Sequence, residues 1–186
     1  MTIPDGLKKQ GAKATGENWR DNYQSPREIL DRVDELFGSG WIDPFPVNPT
    51  FDCFLRNFDD SNLYINPPFS QYARAVDYLT GKGTIGPGIN QQIWLLENVK
   101  TETRYAQKLL KLSSAVCYLD KRINFLDPRT GEPYKVWNEK KQKWENGSNR
   151  VGHLLIYLGE SPGAFEDIFK DLGVVIVRRD YWGLFN

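Results

Sequence analysis

Apolar residues fall in short runs separated by amphipathic stretches, and the two patterns alternate along most of the chain. Residues 26–37 come first: Ile29, Leu30, Val33, Leu36 and Phe37 share one face at helical spacing. Ser25 suits the N-cap, Pro26 the first helical position and Glu28 the far corner of a capping box, and Gly38 can end the helix. Trp41-Ile42 reads as a short strand running into Asp43-Pro44. Residues 45–60 are rich in Pro and Asn, with Phe51, Phe54 and Leu55 as packing candidates. Leu63-Tyr64-Ile65 is the next strand, and residues 70–79 form a helix with Tyr72, Val76 and Leu79 inward. A Gly/Pro-rich loop over residues 81–88 leads to Gln92-Ile93-Trp94-Leu95-Leu96, a run suited to a buried central strand. Residues 101–112 form a helix with Ala106, Leu109, Leu110 and Leu112 on its apolar side. Residues 115–119 are a strand, which residues 122–125 can prolong. After a polar, turn-rich stretch, residues 153–158 form a strand, 161–172 a helix stopped by Gly173, and 174–177 a last strand.

Strands alternating with helices predict an α/β sheet. The 186 residues suggest one domain over 21–186, behind a polar tail at 1–20 and carrying a basic, aromatic insertion at about 127–150. No stretch approaches the roughly 18 apolar residues of a membrane span, and the first residues do not make a secretory signal. The expectation is a cytoplasmic protein with no membrane partner. Cys53 and Cys117 lack metal-ligand spacing and read as buried apolar fillers. His153, the single histidine, sits within an apolar run and reads as a core or edge residue rather than a catalytic one. No Ser-His-Asp, zinc or Walker pattern is visible, and no metal is expected. Formal net charge is zero, so a nucleic-acid partner would need a local basic patch.

Asn66-Pro67-Pro68-Phe69 carries the most chemistry. An Asn-Pro-Pro-aromatic turn at the carboxyl end of a strand resembles the catalytic loop of the amino-methyltransferases. Their acceptor nitrogen is a weak nucleophile because its lone pair is conjugated. An Asn side-chain oxygen and the Pro67 carbonyl can accept its two hydrogens and localise the lone pair. The prolines fix the carbonyl direction, since each locks φ and restricts the residue before it. Phe69 offers a face on which a base can stack. Asn-Pro-Pro is also an ordinary turn.

Further stretches extend the likeness across residues 19–158: Tyr23-Gln24-Ser25-Pro26, Ile42-Asp43-Pro44 with Asn48, then Asn98, Thr101, Thr103 and Tyr105, and Arg122-Ile123-Asn124-Phe125. In order and spacing the chain resembles the small phage-type DNA adenine methyltransferases of the Dam-like family. The resemblance implies a Rossmann-like class I fold, with a mostly parallel sheet, helices on both faces and an antiparallel edge. It implies S-adenosyl-L-methionine as cofactor and DNA as partner. Tyr23, Ser25, Asp43, Pro44 and Asn66 would line the cofactor site. The glycine-rich turn many relatives place after the first strand is replaced by Asp43-Pro44-Phe45-Pro46.

Each position has a second reading. Asp43 can hold the cofactor's ammonium or ribose hydroxyls, or cap a turn; Ser25 can cap a helix, and Tyr23 can staple one. Lys135, Trp137, Lys140, Lys141, Lys143 and Trp144 interleave charge with aromatics, as a hairpin contacting DNA or as a solvated one. Lys121 and Arg122 are DNA contacts by resemblance, or members of structural ion pairs; Ser70 belongs to the same candidate interface. The activity expected is methylation of the adenine exocyclic amine in DNA. The alternatives are a cytosine, RNA or protein acceptor on the same fold, or a non-catalytic nucleic-acid-binding relative. Homodimerisation would enlarge the DNA footprint, but no sequence feature selects it.

Overall fold

A computed structural model describes residues 23–47, 49–81, 89–97, 100–146 and 151–178. The expected tail at 1–20, most of the loop at 81–88, and Asn48 and Asn98 lie outside the described residues. The strands are β1 (Ser61–Ile65), β2 (Ile89–Glu97), β3 (Ala115–Leu119), β4 (Lys135–Asn138), β5 (Lys143–Asn146), β6 (His153–Leu158) and β7 (Gly173–Val177). The helices are α1 (Arg27–Phe37), α2 (Tyr72–Leu79), α3 (Arg104–Leu112) and α4 (Pro162–Phe169). The fold is α/β. Among the described residues no helix is long and apolar enough to cross a membrane.

Among the described residues, five strands form the main sheet in the order β1-β2-β6-β3-β7. Trp41-Ile42 does not form a full strand; Ile42 makes a single parallel bridge to Leu63 on the outer side of β1. The expected mostly parallel pairing is corrected: β1–β2 is parallel, whereas β2–β6, β6–β3 and β3–β7 are antiparallel. The cause is that two strands run backwards, β6 between β2 and β3 and β7 at the far edge. Ile42, β1, β2 and β3 still point the same way, so their carboxyl ends share one edge of the sheet. Residues 122–125 leave β3 rather than prolonging it, and Leu126 bridges to Gln24.

Helices cover both faces. On one, Ala75, Val76 and Leu79 of α2 and Ala106 and Leu109 of α3 pack on Leu63, Ile65, Trp94 and Ile156. On the other, Ile29, Leu30 and Val33 of α1 and Phe165 and Phe169 of α4 pack on Tyr64, Ile93, Leu155 and Tyr157. The alternate faces of β1, β2 and β6 thus bury into two separate cores, as the pleat dictates. That accounts for the unbroken burial of β6, whereas β7 leaves Val174 and Ile176 exposed on one face. Gln92 sits inside the first core without cost, donating to Leu79 O at 2.9 Å and accepting from Trp94 Nε1 at 2.7 Å.

Candidate functional site

Asp43 and Asn66 follow the carboxyl ends of two adjacent strand segments, joined by the Ile42 N–Asn62 O and Tyr64 N–Ile42 O hydrogen bonds of 2.9 and 3.1 Å. In an open α/β sheet this edge is where ligands bind. A cavity of about 380 Å³ opens there, on the α1 side. It is lined by Tyr23, Ser25, Asp43 and Asn66, which the sequence analysis singles out, and by Trp41, Phe45 and Tyr64, which it does not. Pro44 is buried between two lining residues and does not line the cavity.

The start of α1 corrects the reading of Ser25. The helix begins at Arg27, Pro26 stands at the cap position, and no side chain caps it. The Pro26 carbonyl instead takes the Ile29 and Leu30 amides at 3.0 and 3.2 Å. Ser25 is buried, with its hydroxyl 2.8 Å from Tyr64 Oη, and Asn66 Nδ2 reaches the same hydroxyl at 3.5 Å. This network holds the amide nitrogen of Asn66 against the protein and leaves Oδ1 with no hydrogen bond among the described residues. Burial pushes the Tyr64 phenol well above its ordinary range, so it stays protonated.

Asp43 is half-buried, and its Oδ1 accepts from Phe45 N at 2.8 Å. Desolvation outweighs that bond and raises the carboxyl from 3.8 to about 6. A carboxylate held this way gains from a cation. Around it, Trp41 is set by its Nε1 donating to Asp34 Oδ1 at 2.6 Å and by edge-on contact with Tyr64 at 5.8 Å.

The Asn66-Pro67-Pro68-Phe69 turn leads out of β1 into a short 3-10 turn, Phe69–Gln71, and then α2. Pro67 is buried, and the Pro68 carbonyl accepts from Gln71 N at 2.8 Å. Phe69 is 42% exposed and does not line the cavity; its ring lies 6.0 Å from Tyr72, which stacks on Tyr105. Ser70 is exposed beside it.

The other candidate contacts divide. Residues 135–146 form the expected hairpin, with Trp137 and Trp144 in register and edge-on at 5.6 Å. It is rooted at the cavity: Tyr134 and Phe125 both contact Tyr23, at 5.3 and 5.7 Å, and nearby Pro128 lines the opening. Lys141 and Lys143 lie 3.0 and 3.5 Å from Glu145 Oε1, and both side chains stay largely exposed. The Asn138 amide and those lysines hold Glu145 down to about 2. Lys135 and Lys140 are exposed without an ion pair among the described residues. So are Lys121 and Arg122, just past the carboxyl end of β3 on the Asn66 edge. His153 is buried at the start of β6, and burial lowers it to about 4. Cys53 and Cys117 are buried free thiols.

No protein-family profile matches the chain. It is 26% identical over 178 residues to one of the subunits of the ATP-dependent helicase/nuclease of Clostridium novyi (strain NT). That match takes in 89% of this chain and 13% of the longer protein. A likeness to so small a part of another protein carries no activity across.

Proposed function

We propose that this protein is a DNA adenine methyltransferase of Rossmann-like class I fold, using S-adenosyl-L-methionine and acting on the exocyclic amine. The observation that carries the reading is the convergence of Tyr23, Ser25, Asp43 and Asn66 on one cavity at the carboxyl edge of the sheet. The common direction of Ile42, β1, β2 and β3, with reversed strands beyond β2, also fits such a sheet. The cavity lies within the usual range for small-ligand sites of roughly 300–1,000 Å³.

S-adenosyl-L-methionine would supply the methyl carbon as a sulfonium. The residues present suit it. Asp43, destabilised as an anion by burial, favours an ammonium, and the Trp41, Tyr23 and Phe45 rings favour apolar and cationic groups. Asn66 Oδ1 would accept one amine hydrogen and the Pro67 carbonyl the other. No general base is needed before transfer, because the amine loses its proton after the new bond forms. Catalysis would then rest on orientation, which Ser25 enforces by fixing the Asn66 amide.

The test is incubation with cofactor and duplex DNA, followed by mass-spectrometric counting of methylated adenine. Asn66→Ala should lower turnover by about a hundredfold or more, the scale of a lost transition-state hydrogen bond. No methylated base from the unaltered protein, or full activity in Asn66→Ala, defeats the reading.

A further inference from the structure

Leu55 departs from its expected packing role. It ends a 3-10 turn, Cys53–Leu55, yet it is 86% exposed. The turn that presents it is held firmly. Asp52 Oδ1 accepts from Phe54 N at 2.9 Å, and the Phe54 ring sits 5.9 Å from Phe45 and 5.6 Å from Tyr78. Tyr78 Oη then donates to Arg56 O at 2.8 Å.

Two guanidinium groups flank this prong. Arg74 lies 3.7 Å from the Phe54 ring centroid, and Arg56 lies 4.6 Å from that of Phe51 and 5.7 Å from that of Phe58. Both arginines are exposed, and neither has a carboxylate partner among the described residues. Asp77, close by on α2, is already engaged by Arg104 and Lys108, each at 3.2 Å. Stacking fixes each guanidinium before any ligand arrives, so less side-chain entropy is lost on contact. The prong is linked to the cavity, because Phe45, on the far side of Phe54, lines it. Arg74 sits in the first turn of α2, which follows directly from Phe69 and Ser70.

Resting on the methyltransferase reading, we propose that Leu55, Arg56 and Arg74 form a DNA-gripping surface. The arginines take backbone phosphates, and Leu55 presses on the sugars and bases beside the target nucleotide. Oriented cationic forks around an apolar tip, one ring contact from the cavity wall at Phe45, match the backbone of a duplex beside a displaced base.

Fluorescence anisotropy with labelled duplex DNA, over about 50 to about 300 mM salt, tests it. Arg56→Gln and Arg74→Gln should each reduce the slope of log affinity against log salt by about 1, and weaken binding across unrelated sequences. Arg74→Lys should keep the slope. Leu55→Ser should keep it too, while weakening binding about tenfold, the loss of one buried apolar contact. In the unaltered protein, duplex DNA should shield Arg56 and Arg74 from phenylglyoxal, which keeps the test valid should a variant misfold. Unchanged slopes, or undiminished phenylglyoxal reaction, overturn this surface; persisting methyl transfer would then leave the enzyme reading intact. Arginine-dependent binding without methyl transfer keeps the surface and sinks the enzyme reading. No salt-dependent DNA binding by the unaltered protein overturns the proposal.

Discussion

Ser25 commits its hydroxyl to Tyr64 and Asn66 and none of it to the helix it precedes. Capping is a local pattern, so Ser25-Pro26-x-Glu28 suggests it, whereas Tyr64 is 39 residues away and invisible to local spacing. The two assignments separate in a double-mutant cycle. Ser25→Ala strands a buried phenol, a cost of about 1–3 kcal/mol, and Tyr64→Phe strands the serine. Urea unfolding of both single variants and the pair should give a coupling energy of about 1 kcal/mol. A helix cap alone would show additivity, because Tyr64 does not touch the helix amides that a cap serves.

At the scale of elements, the strands at 115–119 and 153–158 match the expected bounds, and each helix lies within a few residues of its expected span. Their apolar positions repeat at the helical or strand period, and that period needs no knowledge of neighbours. The failures share one cause. Leu55 reads as a packing residue, yet its turn points outward because Phe54 takes the inward position against Phe45. Gly173 reads only as a helix stop. It is also the first residue of β7, paired with Leu119, and a Cβ there would sit 2.0 Å from the Tyr118 carbonyl oxygen and 2.9 Å from Asp120 N. Both atoms belong to backbone held in β3 and its exit, so neither can swing aside. Gly173→Ala should therefore cost about 2–4 kcal/mol, read as a lowered urea midpoint, by forcing β7 away from the sheet. A variant as stable as the parent would mean that β7 is not fixed against β3.

For the molecule as a whole, two desolvated ionisable groups, half-buried Asp43 and buried His153, oppose each other. Asp43 is raised from 3.8 to about 6, so the folded state binds more protons than the unfolded one between those values, and stability falls as pH rises through them. His153 is lowered from 6.5 to about 4, so stability rises with pH over an overlapping window. Asp43→Asn should gain on the parent as pH increases from about 4, reaching about 3 kcal/mol above pH 6, while His153→Gln should gain as pH decreases from about 6.5. Urea titrations at several pH values check both signs, and a pH-independent difference would refute the burial of either group. If Asp43 holds the cofactor ammonium, calorimetric affinity should weaken about tenfold per pH unit below 6, and Asp43→Asn should abolish that dependence. Hydrophobic periodicity by itself determined that strands and helices alternate, and the residues themselves placed an Asn-Pro-Pro-Phe turn after one strand and a carboxylate after another. It could not decide sheet order or direction, because β2 and β6 are both buried apolar runs and burial has no polarity along the chain. Only the tertiary structure set β6 backwards between β2 and β3, and only it brought Tyr23, Ser25, Asp43 and Asn66 to one opening. Local patterns fix which face of a segment avoids water; which segments meet depends on how those faces pack together in three dimensions.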